Sequence, residues 1–226
     1  MSIHNKKAIY LAILNEGTMR VELSNVINKA ILAGEYELYI THPSFHPITQ
    51  NRNKIVQDFL SKPQYDYLFM IDDDNVPPAD FLHLADYDED IVGSLYVGYN
   101  KGMIIPFCLD RAKTGLFEVA DLKKKRGFAK CDAVGTGVIC IRRNVLEDER
   151  LKFPFRNEYD KDGIKKLGLD INFCKRAGEL GYKVFCDLDM VSAHWKEMDL
   201  NELYKVILER DGYKEAYEKL LKQGKK

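Results

Sequence analysis

The segment YDYLFMIDDDNVPP, residues 65–78, decides the fold. Its first part, Tyr67–Ile71, is an apolar run of β-forming residues, which is typical of a strand that is buried on both faces. The run ends abruptly in three carboxylates, Asp72–Asp74, and Pro77 and Pro78 then stop the strand. The segment therefore predicts a central strand that carries an acidic tip.

The acidic tip lies where open α/β sheets bind ligands, beyond the carboxyl end of a strand. Three neighbouring carboxylates repel one another, so they require hydration, protonation or a counter-charge. Mg²⁺ and Mn²⁺ bind a few carboxylates together with phosphate oxygens, so a metal-bound diphosphate is one interpretation. A solvated acidic turn is the alternative interpretation.

Two strand–helix units precede the acidic strand. We predict strands at residues 7–14 and 36–41, and helices at 18–33 and 49–60. Thr18 is the expected cap of the first helix, and Gly34 is expected to end it. This alternation predicts a parallel sheet with right-handed crossovers, in which the acidic strand is the third strand.

The remaining chain predicts further elements of the same kind. We expect a short helix at 79–85, a strand at 91–97, hairpins and a mobile loop over 100–130, and a glycine-broken turn at 133–141 that enters a strand. A helix opens at residue 167 with Asp170 in its first turn, and a last strand covers 182–186. An amphipathic helical arm follows, so the predicted units are 1–197 and 198–226. This arm lies on the domain or contacts a partner subunit.

Two of these segments allow two interpretations each. The basic run Lys123–Arg126 is either a solvated loop or a flap that faces phosphate or acceptor. The turn Gly135–Gly137 is either a tight turn or a site that presents backbone N–H groups to a sugar. Its two glycines do not have the spacing of a P-loop or a dinucleotide-binding fingerprint.

Composition excludes several classes of protein. The chain has 226 residues, of which 46% are hydrophobic and 31% charged, and its net charge is −1. Nothing in this balance favours bulk attraction to nucleic acid or a membrane surface. The five cysteines lack zinc-like spacing, so buried free thiols are expected. No signal peptide and no apolar run of the ~18–20 residues needed to span a membrane is found, so we expect no transmembrane segment and a cytoplasmic protein.

Four segments in order resemble a known family. They are QNRN (50–53), LFMIDDDNVP (68–77), GTGVICIRR (135–143), and LDINFCKRA (169–177) followed by His194. Together they resemble the GT-A nucleotide-diphospho-sugar glycosyltransferases, especially the short bacterial and viral members of the family 2-like group. The resemblance covers about residues 7–195 and implies a Rossmann-like α/β fold with a mostly parallel central sheet flanked by helices.

The resemblance implies a role for each acidic-tip residue and its partners. Asp74 and His194 would bind Mn²⁺ or Mg²⁺, and imidazole nitrogen favours Mn²⁺. Asp72 would hold the ribose or a metal-bound water, and Asp73 would belong to the donor site beside it. Arg52 would pair with phosphate or base through its fixed fork of donors.

Further positions complete the site that the resemblance implies. The end of the first strand, from Ala12 through Asn15, would hold the nucleobase, and Gly137 would also line the donor site. Asp170 would act as the base that takes the proton of the acceptor hydroxyl. The family usually places an acid directly before this base, but the chain has Leu169 there.

The expected activity is the metal-dependent transfer of a sugar from a UDP-linked donor to a glycan or another hydroxyl acceptor. Transfer is expected to invert the configuration at the anomeric carbon. One alternative is a haloacid dehalogenase-like phosphatase, because Asp72-x-Asp74 after an apolar strand also fits that pattern. Against it, that motif usually follows the first strand, and no downstream acidic motif completes its metal site. A binding protein without catalysis is the other alternative, favoured by Leu169 and opposed by Asp170. A sugar-nucleotide pyrophosphorylase fits less well, because the N-terminal glycine-rich phosphate loop is missing.

Overall fold

A computed structural model describes residues 6–100, 103–197 and 199–208. The first elements are β1 (Ala8–Leu14), α1 (Val21–Ala33), β2 (Glu37–Thr41), α2 (Ile48–Leu60) and β3 (Tyr67–Asp72). Next come β4 (Asn75–Val76), a 3₁₀ helix (Phe81–Tyr87), β5 (Ile91–Leu95), β6 (Val97–Asn100), β7 (Met103–Pro106), β8 (Cys108–Arg111) and β9 (Phe117–Val119). They are followed by β10 (Phe128–Cys131), β11 (Ala133–Val134), β12 (Val138–Arg142), α3 (Arg143–Glu147) and a 3₁₀ helix (Glu149–Leu151). The last are β13 (Glu158–Tyr159), β14 (Lys165–Leu167), α4 (Leu169–Glu179), β15 (Val184–Val191), β16 (Ala193–His194) and α5 (Leu200–Leu208).

A seven-stranded sheet forms the centre of the fold, in the order β10-β15-β5-β12-β3-β1-β2. Strands β1, β2 and β3 run parallel, as do β5 and β15. Strand β12 lies antiparallel between β3 and β5, so those two strands point the same way. Edge strand β10 is also antiparallel. The sheet is therefore mostly parallel, as predicted, with two strands reversed.

The acidic strand β3 is buried on both faces. Leu68 and Met70 belong to a core cluster that includes residues of α2 and α4, whereas Phe69 and Ile71 belong to the cluster that includes α1. All four side chains are fully buried. Successive side chains of a strand point to opposite faces, so a continuous apolar run is required where both faces are covered. The prediction of a central buried strand is confirmed.

Several predicted boundaries are wrong by a few residues. Helix α1 begins at Val21 after an Arg20 cap that has no side-chain capping bond, so Thr18 is not its cap. The preceding loop is instead organised by Asn15, whose Oδ1 accepts a hydrogen bond from Gly17 N at 3.0 Å. Gly34 has φ 63° and ends the helix as predicted.

The later elements also differ in extent. The short helix predicted at 79–85 is a 3₁₀ helix over Phe81–Tyr87. The last sheet strand continues to Val191, with an irregular register after Asp187 that lengthens it beyond the predicted end. The hairpins expected over 100–130 are present, as β6 pairs with β7 and β8 pairs with β9.

The cysteines and the C-terminal arm complete the comparison with the sequence. All five cysteines are buried free thiols, as predicted. The described start of the arm is the helix α5, while residues 209–226 lie outside the described residues, so the division at 197/198 stays a prediction. Among the described helices, none has the length and apolar character needed to cross a membrane.

Candidate functional site

A cavity of about 580 Å³ opens at the acidic tip of β3. Its walls combine the ends of β1, β3 and β5 with the first turn of α4 and with β16. The lining residues are Leu14, Asn15, Glu16, Thr18, Phe45, His46, Ile48, Asn51, Asp72, Asp73, Asp74, Asn75, Tyr96, Phe107, Asp170, His194 and Lys196. The sheet order thus gathers segments that are far apart in the sequence at one edge, where an α/β fold binds ligands.

Asp72 is held by a buried arginine. The Nη2 atom of Arg52 donates to both carboxylate oxygens, at 2.8 Å and 2.9 Å. The Arg52 side chain is only 3% exposed and that of Asp72 27%. Burial raises the pKa of Asp72 to about 6, against the opposing effect of the Arg52 guanidinium. The pair therefore places one fixed cation behind the acidic tip, on the core side of the cavity.

Asp73 faces the loop after β1. Its backbone N donates to Leu14 O at 2.9 Å, and its Oδ2 accepts a long hydrogen bond of 3.4 Å from Glu16 N. Burial raises the pKa of this carboxyl. Asp73 therefore ties the acidic tip to the loop that contains Asn15, on the side of the cavity where the resemblance places the nucleobase.

Asp74 has the richest set of partners. Its Oδ1 accepts from Asn75 Nδ2 at 2.8 Å, and its Oδ2 lies 3.4 Å from His194 Nε2. The same Oδ2 accepts a hydrogen bond from Lys196 Nζ. Burial raises the pKa of Asp74, but its hydrogen bonds with His194 and Lys196 outweigh burial and hold that pKa well below its usual range. Asp74 is therefore the member of the acidic tip whose ionised form is stabilised most strongly by neighbouring side chains.

A two-strand ladder brings His194 to Asp74. The residues after the acids, β4, pair antiparallel with β16, so that His194 lies opposite Asn75. Trp195 N also donates to the backbone O of Asp74 at 2.8 Å. His194 is thereby fixed beside an acid that is 120 positions earlier in the sequence.

The hydrogen bond at Nδ1 of His194 determines the tautomer of the imidazole ring. His194 Nδ1 lies 2.7 Å from Val97 O, and because a carbonyl can only accept, Nδ1 is the donor. In the neutral ring Nε2 then carries the lone pair, which is how metal-binding histidines are oriented. The hydrogen bond with Asp74 raises the pKa of His194.

Asp74 and His194 together provide a donor set that fits a divalent cation. A carboxylate oxygen and an imidazole nitrogen suit Mn²⁺ better than Mg²⁺. Within the described part of the chain, no group of three or more His, Cys, Asp or Glu side chains could hold an ion. An ion here would therefore take its remaining ligands from phosphate oxygens and water, as cations at diphosphate sites do.

Asp170 lies in the first turn of α4, where the helix N-terminus favours an acid. Its Oδ2 is 3.5 Å from Thr136 N, in the glycine-broken turn. The carboxylate lines the same cavity as the acidic tip. An acceptor hydroxyl in this cavity would therefore find a carboxylate that is separate from the pair at Asp74.

The glycine-broken turn fits around Tyr96. A Cβ atom at Gly135 would lie 1.9 Å from Tyr96 Oη, and one at Gly137 would lie 2.8 Å from the Asn75 side chain. Gly137 N donates to Tyr96 Oη at 3.2 Å. The glycines are therefore required by close approach of neighbouring side chains, and the tight-turn interpretation accounts for both.

The predicted site residues fall into two groups. Asn15, Asp72, Asp73, Asp74, Asp170 and His194 line the cavity together. Ala12 is fully buried within β1, Arg52 lies behind Asp72, and Gly137 lies behind Tyr96, so none of these three lines the cavity. The basic run 123–126 does not line it either.

Sequence reasoning missed several lining residues. Asn75 directly follows Asp74, and Lys196 lies two residues after His194, so proximity to these predicted residues was a usable signal. Tyr96 and Phe107 lie beside the β6–β7 hairpin, with ring centroids 4.9 Å apart. No pattern in the sequence connects that hairpin with the acidic tip.

Four buried polar atoms around this cavity have no hydrogen-bond partner in the described chain. They are Asn51 Oδ1, Arg52 Nε, Asn75 Oδ1 and Thr136 Oγ1. Buried polar groups are nearly always paired, so each unpaired atom calls for an explanation. Because Asn51 and Asn75 also line the cavity, a polar ligand or ordered water there is a direct explanation.

Two solved structures resemble the chain over most of its length. One is the A197 protein of STIV, with 18% identity and a TM-score of 0.57 over 84% of this chain and 86% of that chain. The other is GalNAc-T7, solved with UDP, GalNAc and Mn²⁺, with 12% identity and a TM-score of 0.51. That match covers 93% of this chain and 49% of the GalNAc-T7 chain, so this chain spans about half the length of that protein.

Other comparisons found nothing: no protein-family profile and no curated protein matches the sequence. At the identities of the two structures, the similarity establishes the fold. The predicted fold class, a GT-A-type α/β domain with a mostly parallel central sheet, is confirmed.

Proposed function

We propose that the chain is a metal-dependent glycosyltransferase. It would transfer a sugar from a nucleotide-diphosphate donor, with UDP favoured, to the hydroxyl of a glycan or another acceptor, with inversion. One observation carries the proposal: a single cavity holds the Asp74–His194 pair and, apart from it, the carboxylate of Asp170. GT-A proteins use a cavity in this place for a nucleotide sugar, which is an argument from fold analogy.

Different residues at the cavity would bind different parts of the donor. Asp74 and His194 would hold the divalent cation, which when bound supplies positive charge for the departing diphosphate. Asp72, fixed by Arg52, would accept hydrogen bonds from the donor ribose. The loop at Asn15 would border the base. These contacts would orient the donor with its anomeric carbon facing the acceptor.

Asp170 would act as the general base. The new glycosidic bond forms between the acceptor oxygen and the anomeric carbon, while the bond from that carbon to the diphosphate oxygen breaks. The acceptor proton goes to Asp170, and the nucleoside diphosphate leaves with the bonding electrons. The position of Asp170 in the first turn of α4 holds its carboxylate at the wall of the cavity, where an acceptor hydroxyl would lie.

The phosphatase alternative needs Asp72 as a nucleophile. Each oxygen of Asp72 accepts a hydrogen bond from the Arg52 guanidinium, and this lowers the nucleophilicity of the carboxylate. The GT-A-type fold also argues against it. The alternative of a binding protein without catalysis shares the nucleotide site, and only a transfer assay distinguishes it.

The first test is binding. We would titrate UDP, GDP and dTDP into the protein by calorimetry, with and without Mn²⁺. The proposal expects one nucleotide to bind, with an affinity at least about tenfold higher in Mn²⁺, which is about 1.4 kcal/mol. Asp74→Ala and His194→Ala should each remove this gain. Asp80→Ala is the matched control, because it removes an exposed acid that follows β4 and does not line the cavity.

Two binding results would contradict the proposal. Unchanged Mn²⁺ dependence in both Asp74→Ala and His194→Ala would remove the metal assignment. Binding of a phosphate mimic with Mg²⁺, and of no nucleotide, would instead favour the phosphatase.

The second test separates binding from catalysis. Asp170→Asn should leave nucleotide affinity unchanged and lower the transfer rate by about 10²–10⁴-fold, the usual contribution of a general base. Glu22→Gln is the matched control, because it neutralises an acid in the first turn of α1, away from the cavity. Transfer at the wild-type rate by Asp170→Asn would refute the assignment of the base.

A further inference from the structure

Lys196 occupies the oxygen at which a metal ion would bind. Its Nζ donates to Asp74 Oδ2, the same atom that faces His194 Nε2. The other oxygen of Asp74 is already engaged by Asn75. An ammonium therefore neutralises the proposed metal-binding carboxylate in the absence of any ion.

Lys196 differs from Arg52 in how firmly it is held. The Lys196 side chain is 51% exposed and lies in the irregular segment between β16 and α5. The Arg52 side chain is 3% exposed and donates to both oxygens of its acid. A lysine ammonium on a flexible stem can turn away into water, whereas the buried arginine cannot.

Lys196 is one of the residues between two adjoining cavities. Beyond the 580 Å³ cavity lies a second one of about 360 Å³. Four residues, Thr18, Asp73, Asp74 and Lys196, line both cavities. Arg20 also lines the second cavity, and its guanidinium lies 4.7 Å from the Trp195 ring. The Lys196 ammonium therefore has open space beside Asp74 into which it can move.

We infer, building on the proposed function, that Lys196 is a displaceable counter-ion of the metal site. It would hold Asp74 Oδ2 in the free protein and give up that oxygen to the divalent cation that arrives with a nucleoside diphosphate. The freed ammonium would then pair with a phosphate oxygen of the same ligand. Cation and nucleotide would thus each promote binding of the other through one lysine.

The counter-ion role of Lys196 is tested by measuring the affinities for Mn²⁺ and for UDP, which a variant should change in opposite directions. Lys196→Met keeps much of the side-chain length but removes the charge. It should bind Mn²⁺ alone about threefold to tenfold more tightly than wild type, because the competing ammonium is gone. With Mn²⁺ saturating, it should bind UDP about threefold to tenfold more weakly, because the phosphate loses a partner. A merely structural role would weaken both.

Three controls accompany the measurement, with free Mn²⁺ followed by electron paramagnetic resonance. Lys196→Arg retains the charge and should keep the wild-type Mn²⁺ affinity. Lys124→Met changes the net charge equally at an exposed lysine that lines neither cavity, and should change nothing. Asp74→Asn in the Lys196→Met background should abolish the gain in Mn²⁺ affinity.

The outcomes separate the two proposals. Equal or weaker Mn²⁺ binding by Lys196→Met, or no binding by either protein, would overturn the counter-ion role. Tighter Mn²⁺ binding by the variant, with no nucleotide binding by wild type, would support the counter-ion and refute the proposed function.

Discussion

The contact between the glycine-broken turn and Tyr96 yields a sharp prediction. A Cβ atom placed on Gly135 would lie 1.9 Å from Tyr96 Oη and 2.6 Å from Cζ, far inside van der Waals contact. The ring cannot easily retreat, since it is 5% exposed, stacks on Phe107 and meets the His194 ring edge at a centroid distance of 5.2 Å. Gly135→Ala must therefore displace a buried aromatic ring.

The magnitude follows from what the displacement breaks. Overpacking a buried site costs about 1–3 kcal/mol. Loss of the 3.2 Å hydrogen bond between Gly137 N and Tyr96 Oη adds about 1 kcal/mol. The backbone of Gly135 lies outside the left-handed region, so conformational strain adds nothing. We expect Gly135→Ala to lower the free energy of unfolding by about 2–4 kcal/mol.

Urea denaturation of a double-mutant cycle is the assay. Tyr96→Ala alone should cost about 3–5 kcal/mol through the cavity that it leaves. In that background Gly135→Ala should cost almost nothing, so the two effects should miss additivity by about 2–4 kcal/mol. Gly178→Ala is the control, because this exposed residue of α4 has open space around its Cβ position and the change should stabilise by about 0.5–1 kcal/mol. Additive losses at positions 96 and 135 would refute the reasoning.

Two further predictions concern the pair of Arg52 and Asp72. Arg52→Met leaves the largely buried Asp72 carboxylate without its counter-charge. The free energy of unfolding should therefore fall by about 2–3 kcal/mol at pH 7 and by less at pH 4. An equal loss at both pH values would contradict this prediction. Burial raises the pKa of Asp72 to about 6, so between about pH 4 and pH 6 the folded state holds a proton that the unfolded chain releases. The free energy of unfolding of the wild-type protein, compared with that of Asp72→Asn, should therefore fall by at most about 3 kcal/mol as pH rises through that window. Urea titrations that show this difference rising with pH would refute the prediction.

The sequence predicts those features that depend on neighbours along the chain. The apolar run of β3 is typical of a strand covered on both faces, and acids that follow such a strand are expected at the edge of the sheet. Gly34 ends α1 because a residue at φ 63° favours glycine. The position of Asp170 in a first helical turn follows from the start of an amphipathic pattern.

Features that depend on sheet order could not be predicted from local patterns. Strand β12 is a buried apolar run like β3, yet it runs antiparallel between β3 and β5. The side chain that fills the space beside Gly135 is that of Tyr96, which directly follows β5 and is far from Gly135 in the sequence. Pairing of His194 with Asp74 was accessible only through resemblance to a family, because a two-residue ladder gives no periodic signal.

The acidic tip shows what local sequence patterns predict and what depends on tertiary structure. Repulsion among three carboxylates indicated that charge had to be compensated, and a bound cation was the expected solution. The fold compensates each acid differently: Asp72 has Arg52, Asp73 has a backbone N–H, and Asp74 has His194 and Lys196. Each compensating group is contributed by another segment of the chain. The Arg52 guanidinium is buried, whereas the Lys196 ammonium is exposed. The acid whose cationic partner can be exchanged is therefore Asp74.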